Sequence, residues 1–124
     1  MNTTRTTPLP PPPTATLAAH RLALEAAQIA IAVARSAPPA LRSVADQLVR
    51  AAASVPANLA EGAGRTGRDR RHHWRIAYGS ALEADTHLRL LAGSGADPRT
   101  VEALRLFDRV RAMTWRLLHP RPRP

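Results

Sequence analysis

Apolar residues recur along this chain at intervals of three and four, the period of a helix with one buried face. Between Ala15 and Ser36, the positions Ala19, Leu22, Ala26, Ile29 and Val33 form one such seam. Leu24, Ala27, Ile31 and Ala34 form a stripe beside it. The local run from Ile29 to Val33 resembles a strand, but Ala alternates with Ile there and leaves no polar face, so the longer helical seam prevails. Pro38-Pro39 closes the segment. A second segment runs from Ala40 to Glu61 with Leu41, Val44, Leu48, Ala51, Val55 and Leu59 in register. Arg42, Asp46 and Arg50 take its opposite face at i, i+4 spacing, where unlike charges give modest support. Pro56 lies inside this segment and predicts a kink or a break, while Gly62 and Gly64 read as its stop.

The third segment, Asp69 to Ala92, carries Trp74, Ala77, Ala81, Ala84, Leu88 and Leu91 on one face. Successive alanines on a seam predict the close approach of a partner helix, and Gly93-Ser94-Gly95 ends the run. The fourth opens at Asp97-Pro98, an N-cap followed by proline at the first helical position. Its core stripe is Val101, Leu104, Phe107, Val110, Thr114 and Leu117. Short connections make neighbouring helices antiparallel. The pattern therefore predicts an all-α, up-down-up-down four-helix bundle over residues 15–118, with helices roughly 30 Å long. Residues 1–14, Thr- and Pro-rich with the run Pro10 to Pro13, and residues 119–124, His119-Pro120-Arg121-Pro122-Arg123-Pro124, read as disordered polyproline-like tails.

Composition narrows the function classes. With 124 residues there is room for one small domain, not for a catalytic domain beside a binding domain. The absence of Cys excludes disulfides, thiolate metal sites and a Cys nucleophile. Aromatics are only 3% of the chain against 44% apolar residues, so the core must come from Ala, Leu, Val and Ile. Each buried CH₂ contributes only about 0.8 kcal/mol, and a small Ala-rich bundle is marginal alone, so self-association is expected. The apolar run Ala15 to Ala34 is broken by His20, Arg21, Glu25 and Gln28, which a spanning helix does not tolerate. Met1-Asn2-Thr3-Thr4-Arg5 lacks the apolar core of a signal peptide, so the expected location is cytoplasmic, with no membrane partner.

All 18 basic residues are Arg, against 9 acidic ones, for a net charge of +9. A GC-rich genome also favours Arg, so the net excess carries the inference: such a field attracts polyanions. The densest cluster is Arg65, Arg68, Arg70, Arg71 and Arg75, with His72 and His73 inside it and only Asp69 opposing. It occupies the turn before the third helix and that helix's first turns. Cations there oppose the helix dipole by a few tenths to about 1 kcal/mol each, so folding alone does not favour the placement. A polyanion would, because phosphates bind arginines and N-terminal amides together. The competing reading is a solvated face whose Arg stems cover apolar surface. Arg105, Arg109 and Arg116 form a second basic stripe on the fourth helix, Arg111 points elsewhere, and Arg121 and Arg123 prolong the charge. With no base-reading motif and few aromatics, little sequence discrimination is expected.

Two stretches then stand out together. One is Gln47-Leu48-Val49-Arg50-Ala51-Ala52-Ala53-Ser54-Val55-Pro56-Ala57-Asn58-Leu59-Ala60-Glu61-Gly62-Ala63-Gly64-Arg65; the other is Ile76-Ala77-Tyr78-Gly79-Ser80-Ala81-Leu82-Glu83. Together they resemble the four-helix-bundle family of 23S rRNA-intervening-sequence proteins, with its Q-L-x-R-A-x-x-S-x-x-A-N-x-A-E-G-x-G-R pattern followed by I-A-x-G-S-x-x-E. The resemblance covers the middle half of the chain. It implies the bundle fold and assembly as a homopentamer. A related group consists of accessory subunits of reverse transcriptases in diversity-generating retroelements, with a basic surface that engages polymerase and nucleic acid. This chain departs from the pattern at Arg70-Arg71-His72-His73-Trp74-Arg75, where family members usually carry aromatic and aliphatic residues.

Asn58 and Glu61 near the end of the second helix, and Ser80 and Glu83 on the third, are expected to face each other across an antiparallel hairpin. A hydrogen-bonded layer that fixes helix register explains them better than acid–base or metal chemistry, since nothing supplies a nucleophile or a complete ligand set. Di-metal bundles use Glu-x-x-His at i, i+3, whereas Glu83 and His87 are four apart. His72 and His73 are adjacent and diverge on a helix, and His20, His87 and His119 have no ligand-spaced partner. The expectation is a non-enzymatic, cofactor-free oligomer that binds RNA or a ribonucleoprotein through Arg65, Arg68, Arg70, Arg71, Arg75, Arg105, Arg109 and Arg116. One form of it is an accessory subunit of a retroelement reverse transcriptase. The alternative is a structural homo-oligomer or protein adaptor whose charge only keeps it in solution.

Overall fold

A computed structural model of the chain describes residues 7–10, 17–95 and 97–122. Residues 1–6 and 11–14 of the expected N-terminal tail, and residues 123–124 of the C-terminal one, lie outside the described residues. Four α-helices follow one another: α1 (Ala18–Arg35), α2 (Arg42–Ala63), α3 (Gly67–Ala92) and α4 (Pro98–Leu118). A 3₁₀ turn at Pro39–Leu41 leads into α2. Each helix packs on its neighbours in sequence, α4 closes onto α1, and the α2–α3 contact is the most extensive. Among the described residues there is no strand, and no helix is long and apolar enough to cross a membrane.

Contacts along the helices fix their directions. Ser54 meets Ser80, and farther along α2 Leu59 meets Trp74, so α2 and α3 are antiparallel. Arg71 at the start of α3 reaches Leu118 at the end of α4. Arg99 at the start of α4 donates to Ser36 Oγ, just past the end of α1, at 2.6 Å. The end of α2, the start of α3 and the end of α4 thus share one end of the bundle. At the other end, Asp97 caps α4 by accepting the Arg99 amide at 2.9 Å, as the Asp-Pro signal anticipates. The Arg99 guanidinium beside it holds the Asp97 carboxyl at about 2.

The core is smaller in its residues than the sequence pattern suggests. On α1 the innermost line is Ala19, Ala23, Ala26, Ala30 and Val33, while Leu22 and Ile29 are half-buried and pack from the side. On α4, Thr100, Ala103, Phe107, Val110 and Thr114 are buried; Leu104 and Leu117 are half-buried and Val101 is 68% exposed. At Leu22–Ala23, Ile29–Ala30 and Ala103–Leu104 the expected seam chose the larger residue of the pair. Helices that approach closely have room only for a methyl group on the line between them, so the larger side chains move to the flanks. The α3 seam matches its expectation: Ala77, Ala81, Ala84, Leu88 and Leu91 are buried, with Trp74 half-buried at its start.

Three local expectations change. Pro56 does not break α2, which runs through it to Ala63. Only one ladder bond is lost there, and Pro56 is buried while Val55 and Leu59 beside it are fully enclosed. The helix end also moves. Gly62 lies inside α2 and is buried, so it does not act as a stop, whereas Gly64 occupies the C-cap. Finally, α3 begins two residues earlier than Asp69, at Gly67, whose φ of +58° is a conformation glycine adopts without steric penalty.

Gly62 is required by its neighbour. A methyl group at this position would stand 2.5 Å from Trp74 Cδ1 and Nε1 and 3.1 Å from the Arg70 carbonyl oxygen. Gly62→Ala is therefore expected to lower unfolding free energy by about 1–3 kcal/mol in chemical denaturation. Gly64→Ala is the control: its methyl group would meet Glu61 O at an ordinary 3.7 Å, and stability should stay within about 0.5 kcal/mol.

Candidate nucleic-acid interface

The arginine cluster at the start of α3 divides into three groups. Arg70 reaches back across the turn, donating from Nε to Gly62 O at 3.1 Å and from Nη2 to Ala63 O at 3.3 Å. It thereby caps the final carbonyls of α2, which have no partner within their own helix. The same guanidinium lies 5.4 Å from the centre of the Trp74 ring, whose Nε1 donates to Leu59 O at 3.3 Å. Arg71 does for α4 what Arg70 does for α2, donating from Nη1 to Leu118 O at 2.9 Å. Both side chains are half-buried. Folding therefore favours two of these cations after all. They start α3, but their charges sit against the negative C-terminal ends of α2 and α4.

Arg65 is neutralised locally. Its guanidinium meets Glu61 Oε1 at 2.7 Å and Asp69 Oδ2 at 3.7 Å. The bond with Arg65 holds the Glu61 carboxyl below the usual range, and Glu61 raises Arg65 in turn. Arg68 and Arg75 form the third group. They are exposed and, among the described residues, make no side-chain hydrogen bond or ion pair. Seven residues apart, they project from the same face of α3.

On α4 the stripe divides in the same way. Arg105 pairs with Glu102 at 2.7 Å, and Arg111 pairs with Asp108 at 3.0 Å on a different side. Arg109 and Arg116 are exposed and, among the described residues, without an acidic partner. The Arg71–Leu118 bond brings the start of α3 beside the end of α4, so Arg68 and Arg116 decorate the same end of the bundle. Of the eight arginines that sequence reasoning grouped, Arg68, Arg75, Arg109 and Arg116 present charge not already matched by the protein.

The four polar motif residues do not form a single layer. Ser80 Oγ donates to Ser54 Oγ at 2.8 Å, and Asn58 Nδ2 donates to the same oxygen at 3.0 Å and to Ser54 O at 3.0 Å. His73, with its proton on Nδ1, completes the chain by donating to Asn58 Oδ1 at 3.1 Å. Asn58 and Ser80 thus meet through Ser54, and the network ties α2 to α3 in one register. Glu61 instead turns outward to Arg65, and Glu83 is exposed. Sequence reasoning missed Ser54 and His73. Ser54 stands within the recognised motif, four residues before Asn58, which is the helical signal that places them together. His73 carried no comparable signal.

The family model described as 23S rRNA-intervening sequence protein matches residues 16–113. No curated protein matches the chain.

The division of arginines predicts a stability pattern. Arg70→Gln and Arg71→Gln each remove charged bonds to helix-end carbonyls and should cost about 1–3 kcal/mol in denaturant unfolding. Arg68→Gln and Arg75→Gln should stay within about 0.5 kcal/mol of the parent.

Proposed function

The chain belongs to the 23S rRNA-intervening sequence protein family, and from that premise we propose that it is a non-enzymatic oligomer that binds RNA. The supporting observation is the outward presentation of Arg68 and Arg75 on one face of α3, where neither makes an ion pair among the described residues. Helix stability does not require them there, unlike Arg70 and Arg71. Phosphate oxygens suit such unpaired guanidiniums, and Arg109 and Arg116 extend the surface along α4. The net charge of +9 adds a long-range field of the same sign. The family's name connects it with ribosomal RNA. In a more specific form of this reading, the RNA is presented together with a retroelement reverse transcriptase, and a reverse-transcriptase gene beside this one would select it. The protein acts in the cytoplasm, where such RNA is found.

Self-association is part of the proposal, with the family's pentamer as its form. The outer face of α1 and α2 carries an open apolar groove of about 390 Å³ lined by Leu24, Ala27, Ile31, Ala53, Pro56 and Ala57. Leu24 on this face, and Ile76 and Leu82 on α3, remain more than a third exposed in a single copy. A core built from alanine gains from further burial of such surface. Repetition of the arginine faces around a ring multiplies weak phosphate contacts.

The test is RNA affinity as a function of salt. Log K should fall steeply and linearly with log salt, and Arg68→Gln with Arg75→Gln should lower the slope by about two. Light scattering should show an oligomer that Leu24→Asp with Ile31→Asp dissociates, with a loss of apparent RNA affinity. No binding at low salt, combined with recovery of a stoichiometric protein partner after nuclease treatment, would replace this reading with that of an adaptor.

A further inference from the structure

The chain has two tryptophans, and they are used differently. Trp74 is half-buried against Gly62 and donates to Leu59 O. Trp115, on the last turn of α4, is 47% exposed. Its ring stacks on His119, with centroids 4.1 Å apart and planes inclined by 24°. His119 is held in that pose by its own Nδ1, which donates to Trp115 O at 2.9 Å. The pair borders a cleft of about 430 Å³ lined by Arg111, Ala112, Trp115, Arg116, His119 and Arg121. Among the described residues no carboxylate lines this cleft. Arg111 is bonded to Asp108, while Arg116 is exposed and, among the described residues, unpaired.

The end of a helix normally exposes carbonyls that repel an anion, but here they are largely occupied. Leu118 O accepts from Arg71, and Trp115 O accepts from the amide and ring of His119. The site therefore combines a flat, exposed aromatic surface with surrounding guanidiniums and little opposing negative charge. That pairing matches a nucleotide, whose base has a π face and whose phosphate lies nearby. Neighbouring guanidiniums make a cationic ligand unsuitable. A base within a duplex is already stacked on both sides, so the matching ligand is an unpaired nucleotide from a loop, bulge or single strand.

We propose that Trp115, stacked on His119, is a platform for an unpaired nucleobase, with Arg116 and Arg121 holding the adjoining phosphates. The proposal rests on the RNA-binding reading and assigns it a preferred form of RNA. It gives α4 a role that the arginine pattern alone does not show. It adds no base identity, since every base offers a π face.

The test compares a short oligouridylate with an RNA duplex of equal phosphate count, using the full chain, its Trp115→Leu variant and its Trp115→Phe variant. Oligouridylate should quench the tryptophan emission of the parent protein, and Trp115→Leu should abolish that quenching. The same variant should weaken oligouridylate binding about tenfold, while duplex affinity and salt slope stay unchanged. Trp115→Phe should restore most of the single-strand affinity. If the parent binds RNA and Trp115→Leu binds oligouridylate equally well, the platform is refuted and the RNA-binding reading stands. Equal losses for both RNAs would also refute it, by marking the residue as structural. If the parent binds neither RNA at low salt, both readings fall.

Discussion

The fold depends on a corner where α2 turns back into α3. Trp74 lies so close to Gly62 that any larger residue there would collide with the indole ring. Because the two helices come this close, Trp74 Nε1 can reach Leu59 O, and Arg70 can reach the carbonyls of Gly62 and Ala63. The hydrogen-bonded chain through His73, Asn58, Ser54 and Ser80 continues the same contact along both helices. Register is set here by polar groups with fixed partners. The methyl groups of an alanine seam offer little to distinguish one register from the next.

The corner also explains the charge distribution. An arginine-rich start to a helix is unfavourable when the helix is considered alone. In the bundle, two antiparallel neighbours bring their negative ends to the same place, and Arg70 and Arg71 each satisfy one of them. Among the described residues, Arg68 and Arg75 on α3 and Arg109 and Arg116 on α4 remain unmatched and face solvent. Helix-capping and solvent-facing charges are thus interleaved along a few residues of chain, separated by the helical face from which each projects.

Much of the architecture was legible in the sequence. The periodicity gave four helices in the right order, and Asp97-Pro98 marked the start of α4 because a cap is a local interaction. The α3 seam was legible because its spacing is continuous from Trp74 to Leu91, and the larger Ile76 and Leu82 belong to no competing seam of that length. On α1 and α4 that competition existed, and hydrophobicity favoured Leu22, Ile29 and Leu104, whereas close helix approach placed Ala23, Ala30 and Ala103 inside. The roles of the arginines were harder to read. An arginine that caps a distant helix and one that faces solvent have the same letter, and Leu118 is far from Arg71 in the chain. The contact between Gly62 and Trp74 was hidden in the same way, since a glycine near a helix end resembles a stop.

Amide hydrogen exchange at the helix ends tests the division of the arginines most directly. Arg70→Gln should accelerate exchange of the Gly64 and Arg65 amides, which bond to Ala60 O and Gly62 O, and leave His119 unchanged. Arg71→Gln should do the reverse, freeing the His119 amide from the last turn of α4. Unchanged protection at both ends, or uniform acceleration throughout the chain, would contradict the account.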